Sequence, residues 1–431
     1  MEGPVAAGAA PATARAGSGR LVPFVVCLFF AWGFATVLID SLLPKLKGLF
    51  ALGYAEAMLT QFAFFIAYFI VSIPAGMLLA RIGYVRGIVV GLLIMAAGCL
   101  AFSPAAALGV YPGFLVALFV MASGITLLQV AANPLISVLG KPEGSHSRLN
   151  LAQAFNSLGT TIGPLVGSAL ILKGGVGALD PKTVAPSVLE AFRKTEAHQV
   201  QLPFLGIAAV LVVLAAVFWL LRRSAAAPVA ASVETSVSSF RLLRQPRLAL
   251  GALSIFIYVG AEVSIGSLMV NYLMQGRTLG LAAQTAGQLV ALYWAGAMVG
   301  RFIGAGVLQK VSAGLALACC AAAAALLACA SAASMGMVAA ATILAIGLCN
   351  SIMFPTIFTL AIEKLGPSTP QGSGILCMAI VGGAIIPPIT GIVADHAGLA
   401  VCLLVPAACY LWIATYGLLA RSGVLDRVRA S

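Results

Sequence analysis

Residues 21–43 read LVPFVVCLFFAWGFATVLIDSLL, and Asp40 is the one charged side chain among them. Crossing a bilayer takes about 20 apolar residues. The run is long enough for that and too long for the ~7–15-residue core of a signal peptide, so it predicts a retained transmembrane helix. Comparable runs follow at 57–80, 87–108, 114–139, 150–172, 201–221, 248–274, 285–308, 314–333, 337–361, 373–394 and 400–420. The run at 21–43 is called span 1 below, and the others are spans 2 to 12 in order.

Hydrophobic residues fill 61% of the 431 positions and charged residues 8%. A soluble domain carries roughly a quarter charged residues, so this chain has too few to coat a water-facing surface. Transmembrane strands would need short alternating segments with polar lumen positions, and these runs do not alternate. The expected fold class is an all-α membrane protein. Cys27, Cys99, Cys319, Cys320, Cys329, Cys349, Cys377, Cys402 and Cys409 all lie in apolar runs, without His at ligand spacing. They read as small apolar filler, and neither a metal site nor a disulfide framework is expected. No cofactor is expected either.

A net charge of +12 would suit a nucleic-acid binder, but the basic residues sit in the loops between spans. There they set topology, so the partner is the lipid bilayer and no nucleic acid is expected. An even number of spans puts both termini on one side. Loops and tails on that side carry 16 Lys and Arg against 7 on the other, with Arg301 inside a span; the excess predicts cytoplasmic termini. Residues 1–20, rich in Ala, Gly and Pro, read as a disordered tail, and 421–431 as a second cytoplasmic tail. Residues 223–247 read as a flexible cytoplasmic linker between a helical bundle at 21–222 and another at 248–420. The two bundles repeat: Asp40 and Glu262 are 222 residues apart, Pro134 and Pro355 are 221, and Pro164 and Pro387 are 223. A shared offset predicts two parallel six-helix repeats with substrate bound near the midplane between them.

Of the twelve acids, ten fall in tails, loops or span ends. Asp40 and Glu262 remain, within spans 1 and 7. An ionised carboxylate in the apolar bilayer costs at least ~2.5 kcal/mol, so such a residue normally faces a polar cavity or serves an ion path. The competing readings are a carboxylate at the interface for Asp40 and a structural hydrogen-bonding acid for Glu262. A buried carboxyl resists ionisation; it takes up a proton on the acidic side, and its neutral form lowers the penalty on closing the cavity around it. Asp40 and Glu262 are therefore the candidate proton-coupling groups.

Neutral polar and aromatic residues recur at helical spacing around these acids. Span 1 offers Trp32 and Thr36, span 2 Gln61, Phe65 and Tyr68, span 4 Gln129 and Asn133, and span 5 Gln153, Asn156 and Thr160. Span 7 offers Tyr258 beside Glu262, and span 10 Asn350, Phe354 and Phe358. Amides donate to and accept from hydroxyls in fixed patterns, and aromatic faces cover the C–H side of a pyranose ring. The mixture suits a neutral polyol better than a lipophilic cation. Trp32, Gln61, Tyr68, Gln129, Asn133, Gln153, Asn156, Tyr258, Glu262 and Asn350 are the candidate substrate contacts, although any single amide is as readily interhelical glue. Arg81 and Arg86 flank the short loop between spans 2 and 3, and Arg301 holds the comparable place at span 8. All three are candidate gating residues that contact helix ends and acids.

The stretches QVAANP (129–134), RLNLAQAFNSLG (148–159), YVGAE (258–262), YWAGAMVGR (293–301) and NSIMFPTIF (350–358) resemble the fucose/galactose/glucose–proton symporter family of the major facilitator superfamily. The likeness runs from span 1 to span 11 and is greatest to the bacterial glucose/galactose transporter branch. The resemblance implies sugar uptake with protons, and in some relatives with sodium. It places Asp40 where the fucose symporter has its coupling acid and Asn156 where that protein has a sugar-associated asparagine. It also marks two departures: Gln129 stands where the fucose symporter has a second functional glutamate, and Ile39 where many relatives have asparagine. Gln129 cannot titrate, so a two-acid mechanism here must use Glu262. The branch with both Gln129 and Glu262 favours hexoses over fucose.

The resulting expectation is a monomeric, multi-pass transporter of the bacterial inner membrane. It imports glucose or galactose by proton symport through alternating access, and it is not an enzyme. The alternatives are sodium as the coupling ion, or efflux of drugs or metabolites by antiport on the same fold. A non-transporting nutrient sensor is a more distant alternative.

Overall fold

Glycine and proline set where the helices begin and end. Gly83 takes φ +81° between two long helices, a left-handed conformation that costs glycine little, and the chain reverses there within a single residue. Pro246 opens another helix at its first turn, where a missing N–H costs nothing. The computed structural model describes residues 21–50, 54–108, 111–170, 186–222 and 239–427.

The helices are α1 Val22–Phe50, α2 Tyr54–Ile82, α3 Tyr84–Leu108, α4 Tyr111–Val138, α5 Ser145–Leu170, α6 Pro186–Leu221, α7 Pro246–Met274, α8 Ala283–Val307 and α9 Ala313–Ala333. The tenth span is broken into α10 Gly336–Asn350 and α11 Met353–Ile362. The eleventh comprises α12 Thr369–Met378 and α13 Gly382–Ala397, and α14 Leu404–Ser422 is the twelfth. Among the described residues ten helices are long and apolar enough to cross a membrane, and Val22–Thr36 is a shorter apolar one. With α5 they make the twelve expected spans. The predicted tail at 1–20 and most of the predicted linker lie outside the described residues, which resume in a short 3-10 turn, Ser239–Arg244. At the other end the last span continues to Ser422, and Val424–Arg427 adds a further helical turn.

The expected repeat is built into the packing. Spans 1 and 5, 3 and 6, and 2 and 4 pair in the first half; spans 7 and 11, 9 and 12, and 8 and 10 pair in the second. Each half is a six-helix bundle, and the two meet where span 5 packs on span 8 and span 2 on span 11. These two crossings exchange under the same half-to-half relation. Gly159 and Gly382 show why the intrahalf pairs are close. A Cβ on Gly159 would strike the Phe30 carbonyl of span 1, and one on Gly382 the Phe256 carbonyl of span 7. Small residues let backbones approach when no water is present to drive helices together.

Burial separates central from peripheral helices. In span 4, 72% of the most apolar window is buried, against 28% in span 6. Span 4 therefore sits inside the bundle and carries Gln129 and Asn133 with it, while span 6 offers most of its surface to lipid.

Candidate functional site

In the first half the amides reach across four helices. Gln129 Nε2 of span 4 donates to Tyr68 Oη of span 2 at 2.6 Å. Gln153 Nε2 of span 5 lies 3.4 Å from Asn133 Oδ1 of span 4, and Asn156 Nδ2 donates to the Phe29 carbonyl of span 1 at 2.9 Å. Trp32 is buried with its ring centroid 4.3 Å from that of Phe29, one turn from Thr36, whose hydroxyl donates to the Trp32 carbonyl at 2.8 Å. Tyr68, Asn133 and Gln153 are buried, while Gln129 and Asn156 keep partial exposure. The side chains of Asp40 and Gln61 lie outside the described residues; Asp40 is on α1 and Gln61 on α2.

In the second half the acid is held by a tyrosine one turn away. Tyr258 Oη lies 2.8 Å from Glu262 Oε1 and 3.0 Å from the carbonyl oxygen of Asn350. The Asn350 amide donates to Tyr293 Oη of span 8 at 2.7 Å, and Tyr410 of span 12 lies beside the same amide. Tyr258, Tyr293, Asn350 and Tyr410 are buried, whereas Glu262 is half-buried. The structure thus brings Tyr258, Glu262 and Asn350 together as one network, with Tyr293 and Tyr410 beside it.

Arg301 stands at the seam between the halves. Its Nε donates to the Ser351 carbonyl at 3.1 Å, and its Nη1 donates to Ser157 Oγ of span 5. Its own carbonyl receives the Asn150 amide at 2.5 Å. Its guanidinium is also an electrostatic neighbour of Glu262. Arg81 and Arg86 are exposed on either side of the Gly83 turn, and no hydrogen bond joins either to a described residue.

Further contacts close the seam toward the side that carries the basic loops. Ser147 Oγ donates to the Ala305 carbonyl at 2.6 Å and Ser373 Oγ to the Val130 carbonyl at 2.9 Å. His146 places Nδ1 2.5 Å from Thr359 Oγ1 and Nε2 3.2 Å from Glu363 Oε1. Glu363 also pairs with Arg247 at the start of span 7. Along spans 5 and 8 the series ends near mid-span, at Thr161 and Met298. These contacts lie on the basic side or at mid-span, and they close the seam there.

Sequence reasoning missed Ser157, Tyr293, Tyr410, His146 and Glu363. Pro355 was the available clue to one missed contact. It has no N–H, so the Ser351 carbonyl four residues earlier needs a donor from elsewhere, and Arg301 supplies it.

The Major Facilitator Superfamily profile matches residues 24–380. A glucose/galactose transporter of Brucella abortus is 50% identical over 404 residues, covering 93% of this chain and 94% of the relative. An L-fucose–proton symporter of Escherichia coli is 37% identical over 415 residues, covering 92% of each. A crystal structure of a major facilitator transporter, FucP, in the outward conformation superposes with a TM-score of 0.86 at 33% identity, covering 94% of this chain and 99% of that one. The twelve helices, their repeat and these likenesses agree: the chain belongs to the Major Facilitator Superfamily, within its fucose/galactose/glucose–proton symporter family.

Proposed function

We propose that this protein imports a monosaccharide, glucose or galactose, by symport with protons across the inner membrane of a bacterium. The observation that carries the reading is a belt of polar residues within the spans, one cluster in each half, which Arg301 bridges across the seam. Tyr68, Gln129, Asn133, Gln153 and Asn156 come from one half, and Tyr258, Glu262 and Asn350 from the other. Such a belt has paired donors and acceptors for sugar hydroxyls and aromatic faces for the ring. The names of the Brucella and Escherichia relatives, a glucose/galactose transporter and an L-fucose–proton symporter, support the substrate class and the proton.

The basic side is the cytoplasm in this reading, because Lys and Arg concentrate there. The seam closed on that side then makes this the outward-facing form, ready for sugar and proton from outside. Asp40 and Glu262 carry the coupling charge. Once both sites are filled the core bears less charge, and the halves rock about the belt to release the cargo inside.

Purified protein in liposomes, given a panel of sugars under separately imposed gradients, tests this. Glucose or galactose should accumulate when an inward proton gradient is imposed without sodium. Accumulation driven by sodium at constant pH would overturn the proton assignment, and absence of sugar uptake under either gradient would overturn the substrate class.

A further inference from the structure

Span 10 breaks between Asn350 and Met353, and the carbonyls of Asn350 and Ser351 are among those the break leaves short of helical donors. Asn350 ends α10, where the last carbonyls of a helix have no intrahelical partner. Ser351 faces Pro355, which has no N–H to give. Side chains of two neighbouring helices stand in: Tyr258 of span 7 approaches the Asn350 carbonyl at 3.0 Å, and Arg301 of span 8 donates to the Ser351 carbonyl at 3.1 Å.

Both donors also have a second partner. Tyr258 Oη is 2.8 Å from Glu262 Oε1, and Arg301 reaches Ser157 across the seam. For Arg301 this is no conflict, since a guanidinium has five N–H groups. A phenol has one hydrogen, and that decides the case of Tyr258. When Glu262 is ionised it only accepts, and a charge-assisted bond is roughly twice as strong as a neutral one. The phenol hydrogen then goes to the carboxylate, and the Asn350 carbonyl loses this donor. When Glu262 is protonated its own O–H donates to Tyr258 Oη, and the phenol hydrogen is free for Asn350.

We propose that Tyr258 relays the protonation state of Glu262 to the break in span 10. It is a positioning residue of the coupling step rather than a proton carrier. One proton arrives on the Glu262 carboxylate from solution, Tyr258 keeps its own hydrogen throughout, and only hydrogen-bond partners change. The other charged or titratable groups facing Glu262 are Arg301 and Tyr293 of span 8 and Tyr410 of span 12. Of these, Arg301 also holds the adjacent carbonyl of the break and the seam. A shift at the break is therefore felt where the two halves must part. The relay rests on the proposal above that Glu262 is a coupling acid.

Sugar exchange in liposomes, measured across pH for a parent protein, Glu262→Gln, Tyr258→Phe and the double variant, all in an Asp40→Asn background, tests the relay. That background removes the other coupling acid and leaves exchange in place. The parent, with Glu262 and Tyr258 intact, should vary at least tenfold across the range, and each variant less than twofold. The double variant should behave as either single one, because residues of one pathway are not additive. A Tyr258→Phe protein that keeps the parent's pH profile at a lower rate would overturn the relay, since a merely structural or sugar-contacting tyrosine behaves that way. So would additive effects in the double variant. A Glu262→Gln protein with the parent's profile, or a parent indifferent to pH, would instead sink the assignment of Glu262 itself. If Tyr258→Phe does not fold, Pro355→Ala carries the test. It returns an N–H to the Ser351 carbonyl and heals the break, so a flat profile supports the relay and the parent's profile overturns it.

Discussion

At the scale of single residues, the candidate site was legible wherever its chemistry is costly in a membrane. Asp40 and Glu262 stood out because a carboxylate in an apolar run is expensive and seldom accidental. Tyr293 and Ser157 did not, because neither residue type looks out of place in a transmembrane helix, and only their neighbours give them roles. Asp40→Asn is expected to abolish accumulation of sugar against its gradient while leaving exchange of preloaded sugar in place. Counterflow and proton-driven uptake measured side by side in the same vesicles check this. Gln129 keeps partial exposure beside Tyr68, and one hydrogen bond from it to a sugar hydroxyl would contribute about 1 kcal/mol. Gln129→Ala should therefore weaken sugar binding about fivefold, read as a rise in the half-saturating concentration with the protein's melting temperature nearly unchanged. Loss of accumulation with unchanged affinity would instead give Gln129 a part in coupling.

At the scale of elements, apolar run length revealed the spans, and the structure extended several of them. Span 2 runs over Tyr54–Ile82 and span 6 begins at Pro186, because polar end turns continue a helix after hydropathy has fallen. The break in span 10 was half visible. Pro355 announced a kink, but the donors to the Asn350 and Ser351 carbonyls come from spans 7 and 8, far away in sequence. The Gly159 and Gly382 approaches were hidden for the same reason, since nothing local distinguishes a glycine at a helix crossing from one facing lipid. Gly382→Val should push span 11 off span 7 and destabilise the protein by about 1–3 kcal/mol, the usual cost of overpacking. A melting temperature in detergent lowered by several degrees is the expected result. Gly391→Val is the contrasting variant, because a Cβ there meets open space, and it should melt close to the wild type.

At the scale of the whole molecule, the seam decides the conformational state. His146 from span 5 reaches Thr359 and Glu363 of span 10, and Arg247 of span 7 holds the same carboxylate. Hydrogen bonds in membrane proteins contribute about 0.6 kcal/mol on average, so no single contact locks the basic side. His146→Ala combined with Glu363→Gln should still shift the population severalfold toward the form open on that side. Spin labels on Arg86→Cys and Lys310→Cys, in a background lacking native cysteines, would report the change as a longer distance. An unchanged distance distribution would mean that the Ser147, Asn150 and Arg301 contacts suffice without the histidine. The amino-acid sequence by itself determined that the chain is a twelve-span membrane protein, that it is duplicated, and that two acids lie within it. Those properties follow from hydropathy, charge and spacing, which are local and additive along the chain. Only the tertiary structure decided which helices meet, which side is sealed, and that Glu262 shares one tyrosine hydrogen with the broken centre of span 10. Such facts depend on partners brought together from distant segments, and no single segment carries them.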